Sequence, residues 1–454
     1  MTRTPGETTR RLVSIAEQVI DGANAAEQVE VALGQSASTS VRAYDGEIEA
    51  LTVADTAGIG VRVITGGRQG FASAGSLEPD VVDELLPAAR ENARYAIPDD
   101  HVRLATPDDV EPPSLDLWDE SLGRVEIDEK VALALGLERA VVESDPRIVG
   151  VRSASYGDRM TTSAVVSTTG ITAAESSTAA SAGVLALARD GSETQTGSGF
   201  ATARGLHGLD WAEAAADASE RALRLLGASQ PHSRRVTLVL EPRLAASILG
   251  VVAGMLSGDR ALKGRTPFAD RVGESIAATS LDMIDDPTDP TSLGATTFDG
   301  EGLACRATTL ITSGRLAGFL YDTPSASKAG LASTASAVRG LRSTPTVGWH
   351  AVAVAPGDRP WSKMISEVAD GVLVQSMTGL HSGVNPVSGD FSVGVDGMAV
   401  RGGEVAEPIR EATIASTLPK LLADVVALGD VVEHRPGGVS CPAIAISDVS
   451  LSGT

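Results

Sequence analysis

The sequence predicts an α+β protein, with helix–meander–helix units in the N-terminal half and a large β-rich C-terminal domain. Three observations carry this. Apolar and polar residues alternate over many stretches, as a half-buried strand requires, and in others the apolar residues fall at helical spacing. The chain of 454 residues also holds 48 glycines but only 3% aromatics, so its core is built from Val, Leu and Ala with many tight reversals. That length, at 43% hydrophobic residues, suffices for two or three domains, and we place them at 1–98, 123–228 and 233–454.

Residues 8–22 predict an amphipathic helix. The runs "EVALGQ", "STSVRAYDG", "EIEALTVADT" and "GIGVRVITGGRQGFASAG" predict strands, the last alternating through Ile59, Val61 and Val63 to a hairpin at Gly66-Gly67. Val82, Leu85, Leu86, Ala89 and Ala93 then mark a helix, with Pro87 as a kink or restart. The Pro- and Asp-rich run 97–121 reads as a connector.

The middle unit repeats the outline. Ile127, Val131, Ala134, Leu137 and Val141 predict a helix ending before Asp145-Pro146, and Ser/Thr-rich strands fill 148–204. A helix at 210–226 has Asp210 as N-cap, Trp211, Ala215, Ala218, Ala222 and Leu225 on one face, and Gly227 past its end. In the third region "SRRVTLVLEP" predicts a buried strand leading into a buried helix. Beyond Asp259 sheet dominates: Phe391, Val393 and Val395 alternate, followed by turns at Asp396-Gly397 and Gly402-Gly403, a three-strand meander. A helix at 418–428, with Pro419 near its first position, and a final strand "CPAIAISDVSL" complete the chain.

Composition excludes several functions. A net charge of −22 repels phosphate backbones and anionic lipid, so neither nucleic acid nor a membrane surface is an expected partner. The start has no apolar signal core, and the longest apolar stretch is broken by Glu241, Pro242 and Arg243. With two cysteines, Cys305 and Cys441, forming no disulfide framework, a cytoplasmic location is expected.

No local motif supplies catalytic chemistry. The six histidines, at 101, 207, 232, 350, 381 and 434, include no pair within two helical turns, so none forms a helical zinc clamp. Ser257, Ser382 and Ser388 sit beside glycine without the nucleophile-elbow pattern, and Cys305, in a predicted strand, reads as a buried inert thiol. Asp299 and Glu301 could act as an acid–base pair from one face of a strand, but a charged turn before a strand is the preferred reading. The polar cluster Asn385, Ser388, Asp390 and Ser392, with Gly389 and Phe391 between, either closes its own turn or lines a substrate cavity.

The run "GVVAGMLSGDRALKGRTPFADRVGE" resembles the TldD/PmbA family. So do "FDGEGLACRATTLITSGRLAGFLYD", "GVNPVSGDFSVGVDGMAVRGGEVAEPIREATIAS", "LPKLLADVVALGD" and the N-terminal "GIGVRVITGGRQGFASAG". The resemblance spans nearly the whole chain and implies one half of a heterodimeric zinc metalloprotease. In the TldD half, His-Glu-x-x-x-His precedes a Gly-Asp on a helix, with the histidines on zinc and the glutamate as general base. Anchored on Gly258-Asp259, those positions here are Leu249, Gly250 and Gly254, none of which can ligate a metal. The chain therefore resembles the TldE/PmbA half, with no catalytic residue and no cofactor of its own. Zinc is expected in a TldD-like partner, unfolded or precursor peptide as substrate, and a homodimer is possible when the chain is alone. The run at Ala335-Ser336 departs from the family's Gly-Asn. Two other readings stand beside this one: a protease-independent regulatory protein of gyrase-modulator type, and a self-sufficient hydrolase built on Asn385 to Ser392.

Overall fold

The computed structural model describes residues 4–435 and 437–454, so the first three residues of the unit placed at 1–98 lie outside it. The N-terminal half runs α1 (Pro5–Asp21), β1 (Gln28–Tyr44), β2 (Glu47–Thr65), β3 (Arg68–Ala74), α2 (Pro79–Tyr95), α3 (Ile127–Val142), β4 (Ile148–Ser167), β5 (Thr172–Asp190), β6 (Glu193–Ala203) and α4 (Trp211–Arg224). The two units contribute three strands each to a single antiparallel sheet of order β3-β2-β1-β4-β5-β6. The four helices cover one face of it. There each unit keeps its own core: Val29, Val31, Leu33, Ile59, Val61 and Val63 lie under α1 and α2, while Tyr156, Ala182, Val184 and Ala186 lie under α3 and α4.

The strands are longer than their sequence suggests. The predicted separate strands on either side of Ser36-Ala37 are one strand, β1, and likewise β2 continues unbroken through Ala57. Ser36, Ala37 and Ala57 do little to favour a strand, but β1 is paired on both sides along nearly its whole length, and that ladder overrides propensity. The hairpin at Gly66-Gly67 forms as expected, both residues taking positive φ. Pro87 does not restart α2: one helix runs through it to Tyr95, with Leu85, Leu86, Ala89 and Ala93 buried. Asp210 caps α4 by accepting the N–H of Glu213 at 2.9 Å.

Glycine sets how closely the helices approach. At Gly199 a Cβ would sit 1.7 Å from the Ala214 carbonyl oxygen of α4. Gly199→Ala forces the helix off the sheet, with an expected loss of about 1–3 kcal/mol read as a lower thermal midpoint.

The C-terminal domain comprises β7 (Arg234–Leu240), α5 (Pro242–Met255), β8 (Met283–Asp285), β9 (Thr308–Thr312), β10 (Arg315–Leu316), β11 (Ala337–Val338), β12 (Thr346–Val347), β13 (Val352–Val354), β14 (Asp370–Thr378), β15 (Asp390–Arg401), β16 (Glu404–Thr417), β17 (Val425–Arg435) and β18 (Val439–Ser452). Ten of these strands form one mixed sheet around β18, while β11 and β12 make a separate ribbon. The apolar helix α5 is buried against the main sheet through Leu244, Ile248, Leu249 and Val252.

Three expectations are corrected here. The three-strand meander is a two-stranded hairpin, β15–β16, reversing only at Gly402-Gly403. Asp396-Gly397 is an irregularity inside β15, where a Cβ on Gly397 would lie 2.2 Å from the Leu373 carbonyl oxygen of β14. The helix predicted at 418–428 spans only Leu418–Ala423, because Val425 onward pairs with β18 as β17. Cys305 is buried but precedes β9 in irregular backbone, and burial pushes its thiol pKa up, which fits an inert role.

Candidate functional site

The sheet's second face, opposite its helices, is turned toward the C-terminal domain. Across it the register aligns Thr56, Ser36 and Thr161 in one row and Gly58, Gly34 and Ser163 in the next. The residues from Ala337 to Leu341 cross this face, and the glycines admit them: a Cβ on Gly60 would lie 2.7 Å from the Leu341 carbonyl oxygen. Between that segment, the loop 294–300 and the sheet lies a cleft of about 600 Å³, with Arg159, Asp299, Arg339 and His350 among its walls.

Arg339 joins the cleft wall to a buried charged network. Arg62, on β2, donates to Glu30 of β1 at 2.8 Å and to Glu301 at 3.4 Å; Arg339 donates to the other Glu30 oxygen. Burial opposes the charge on Arg62, but Glu30 and Glu301 reverse that and raise its pKa. Glu301 also accepts the N–H of Thr323 at 2.8 Å. Asp299 accepts N–H bonds from Glu301, Leu303 and Ala337. Burial, then the nearby Glu301, pushes its pKa up to about 7. The expected turn at Asp299 and Glu301 is present, but both carboxyls are buried rather than solvated. Glu301 ties the turn to Arg62 of the N-terminal sheet, while Asp299 holds it to Ala337.

Beyond Trp349 and His350 a second cavity of about 610 Å³ opens over α5, with Phe200 of β6, Arg221 of α4, and Gly250, Val251 and Trp349 in its walls. The three positions anchored on Gly258-Asp259 lie on this helix. Leu249 points into the core at 2% exposure, a Cβ on Gly250 would sit 3.4 Å from the Trp349 ring, and one on Gly254 would meet nothing within 4 Å. A side chain would fit at the last two positions, so donor atoms are lacking rather than room. Among the described residues no group of three His, Cys, Asp or Glu is placed to hold a metal ion. The residues at this helix do not fit zinc. Cys441 lies under the start of α5, its Sγ 3.3 Å from the Pro242 carbonyl oxygen.

The polar run from Asn385 to Ser392 closes its own turn. The Asn385 side chain accepts from Val387 N–H at 2.9 Å, Ser388 donates to Asp390, and Gly389 takes φ +82° beside Pro419. Asn385, Ser388, Asp390 and Ser392 are exposed, Gly389 and Phe391 are buried, and none of the six lines either cavity.

Sequence reasoning did not single out Arg159, Arg339, Trp349 or Phe200, and weighed His350 only as a metal ligand. Alternation along β4 does place Arg159 on one face with Thr161 and Ser163, the only local signal for any of these residues.

Comparison with known proteins places three models of one family along the chain in order. They are the PmbA/TldA metallopeptidase domain 1 at 29–93, the central domain at 120–226 and the C-terminal domain at 233–453. The Metalloprotease PmbA of Escherichia coli O157:H7 is 26% identical over 444 residues, covering 97% of this chain and 95% of that protein. A Metalloprotease PmbA homolog of Haemophilus influenzae is 26% identical across 98% of this chain and 96% of its own length. Among solved structures, TldE from Thermococcus kodakarensis superposes with a TM-score of 0.88 at 25% identity, covering 98% of this chain and 100% of that one. A Thermotoga maritima protein named as a DNA gyrase modulator shares the fold, with a TM-score of 0.87 at 22% identity over 99% of this chain and 100% of that one.

Proposed function

Since the chain belongs to the PmbA/TldD metallopeptidase family, we propose that it is a TldE-type subunit that holds no zinc and pairs with a zinc-bearing TldD-type subunit to cleave small unfolded polypeptides or a precursor peptide. The observation that carries this reading is the chemistry of α5: Leu249, Gly250 and Gly254 offer neither a ligand nor a base at the helix where the TldD half holds both. Zinc in the partner supplies the activated water. This chain supplies surface: a hydroxyl-rich sheet face and two cavities of about 600 Å³ and 610 Å³. Such cavities take side chains of an extended peptide but no folded domain, which gives selectivity for unfolded substrate without sequence readout.

The purified single chain tests the non-catalytic half of this reading. It is expected to bind no stoichiometric zinc by metal analysis and to leave a fluorogenic unfolded peptide intact. One tightly held zinc per chain, with cleavage that a chelator stops, contradicts it.

A further inference from the structure

We infer that the cleft between the N-terminal sheet and the 337–341 segment is a receptor for a peptide carboxylate, read by Arg159 with Arg339 and His350 as fixed donors in its walls. The inference rests on the peptide reading above and specifies which chemical group of the peptide this chain recognises.

The first support is the sign of the charge. In a chain of net charge −22 this cleft carries Arg159 with no ion pair among the described residues, while its other arginine, Arg339, is offset by Glu30 and its one lining carboxyl is Asp299. Asp299 keeps its proton up to about pH 7, held there by burial and by Glu301, so at neutral pH it only partly offsets Arg159. Such a local excess of positive charge attracts an anion.

The second is unused hydrogen-bonding capacity. Arg159 is exposed at the cleft and makes no ion pair or side-chain hydrogen bond among the described residues. The Arg339 side chain is only 5% exposed, yet its Nε has no partner. His350 Nε2 is likewise buried without one, while its backbone N–H is fixed by Asp285 at 3.0 Å. A buried donor left unsatisfied is costly, and two facing one cleft are the mark of a missing acceptor. Burial lowers the His350 pKa to about 4, so its ring is neutral at pH 7 and can donate from Nε2.

The third is shape. A flat carboxylate matches a guanidinium edge to edge, and the Thr56–Ser36–Thr161 hydroxyl row lies on the same face for further polar contacts. Two groups on an unfolded peptide carry this chemistry, an acidic side chain and the chain's own C-terminus.

The test is fluorescence anisotropy with labelled unstructured peptides and the full chain. Four peptides share one neutral sequence: free C-terminus, amidated C-terminus, amidated with one Glu, and amidated with Gln in its place. A carboxylate-bearing peptide is expected to bind about tenfold more tightly than its neutral counterpart, the scale of one charge-assisted hydrogen bond. Arg159→Gln is expected to erase that difference and Arg159→Lys to restore part of it; both variants keep the wild-type melting curve, since the side chain is exposed. Sensitivity to amidation identifies the C-terminus, and sensitivity to Glu-versus-Gln the side chain. If all four peptides bind alike, or Arg159→Gln changes nothing, the carboxylate receptor falls and the peptide reading survives. If no peptide binds, the carboxylate receptor falls, and the peptide reading rests on the two-chain complex.

Discussion

Arg62→Met is expected to destabilise the chain by about 3–5 kcal/mol, read as a lower urea midpoint, because it leaves Glu301 and part of Glu30 as uncompensated buried charge. Arg62 is 2% exposed and bridges the two, so its loss leaves them facing each other away from solvent. The network also spans the molecule. Glu30 and Arg62 lie on the N-terminal sheet, Glu301 and Arg339 on the C-terminal domain, so the loss loosens the join between them. Adding Glu301→Gln to Arg62→Met is expected to recover part of the loss, since a neutral amide is cheaper to bury than an unpaired carboxylate. Arg94→Met provides the control: Arg94 pairs with Glu91 on the surface, and its removal is expected to change stability by under about 0.5 kcal/mol.

The second large effect is a pH dependence centred on Asp299. Its pKa rises from an ordinary 3.8 to about 7 on folding, through burial and the adjacent Glu301. Between those values the folded chain holds a proton that the unfolded chain has released. The stability this contributes is therefore complete below pH 3.8 and is lost as pH rises through 7. Over that window the loss is about 4 kcal/mol at 1.36 kcal/mol per pKa unit. Asp285, raised to about 6, acts with the same sign, whereas His350, lowered to about 4, acts with the opposite one. The Asp299 contribution is isolated by measuring urea midpoints of the wild type and Asp299→Asn across pH 4–8. Asparagine turns its amide toward a backbone N–H at any pH, so the variant carries a constant penalty. The wild type's advantage over it is expected to shrink as pH rises, and a constant difference contradicts a raised Asp299.

How much was legible follows from the range of each signal. Helices α1 to α5 were readable because their apolar spacing and caps lie within one element; Asp210 and Gly227 mark α4 from both ends. Leu249, Gly250 and Gly254 share one helix with the Gly258-Asp259 anchor just beyond, so their placement relative to it is a local signal too. Strand lengths were not. Ser36 and Ala37, between two predicted strands, look like a break until β1 is seen paired on both sides. The Asp396-Gly397 pair has the composition of a hairpin turn but continues β15, because its neighbours β14 and β16 hold it. The cleft was hidden for a stronger reason: Arg159, Asp299, Arg339 and His350 come from one strand and three separate loop segments, brought together only by docking the C-terminal domain on the sheet. No local periodicity reports such an assembly.

The central claim, that this chain is the zinc-free partner in a two-chain peptidase, is tested most directly by co-expressing it with the TldD-type protein of the same source. Size exclusion, zinc content and cleavage of an unfolded peptide are then measured together. The account predicts a one-to-one complex whose zinc is lost when the partner's histidine ligands are replaced and whose cleavage requires both chains. Two separately eluting proteins, with the partner cleaving equally well alone, would contradict it.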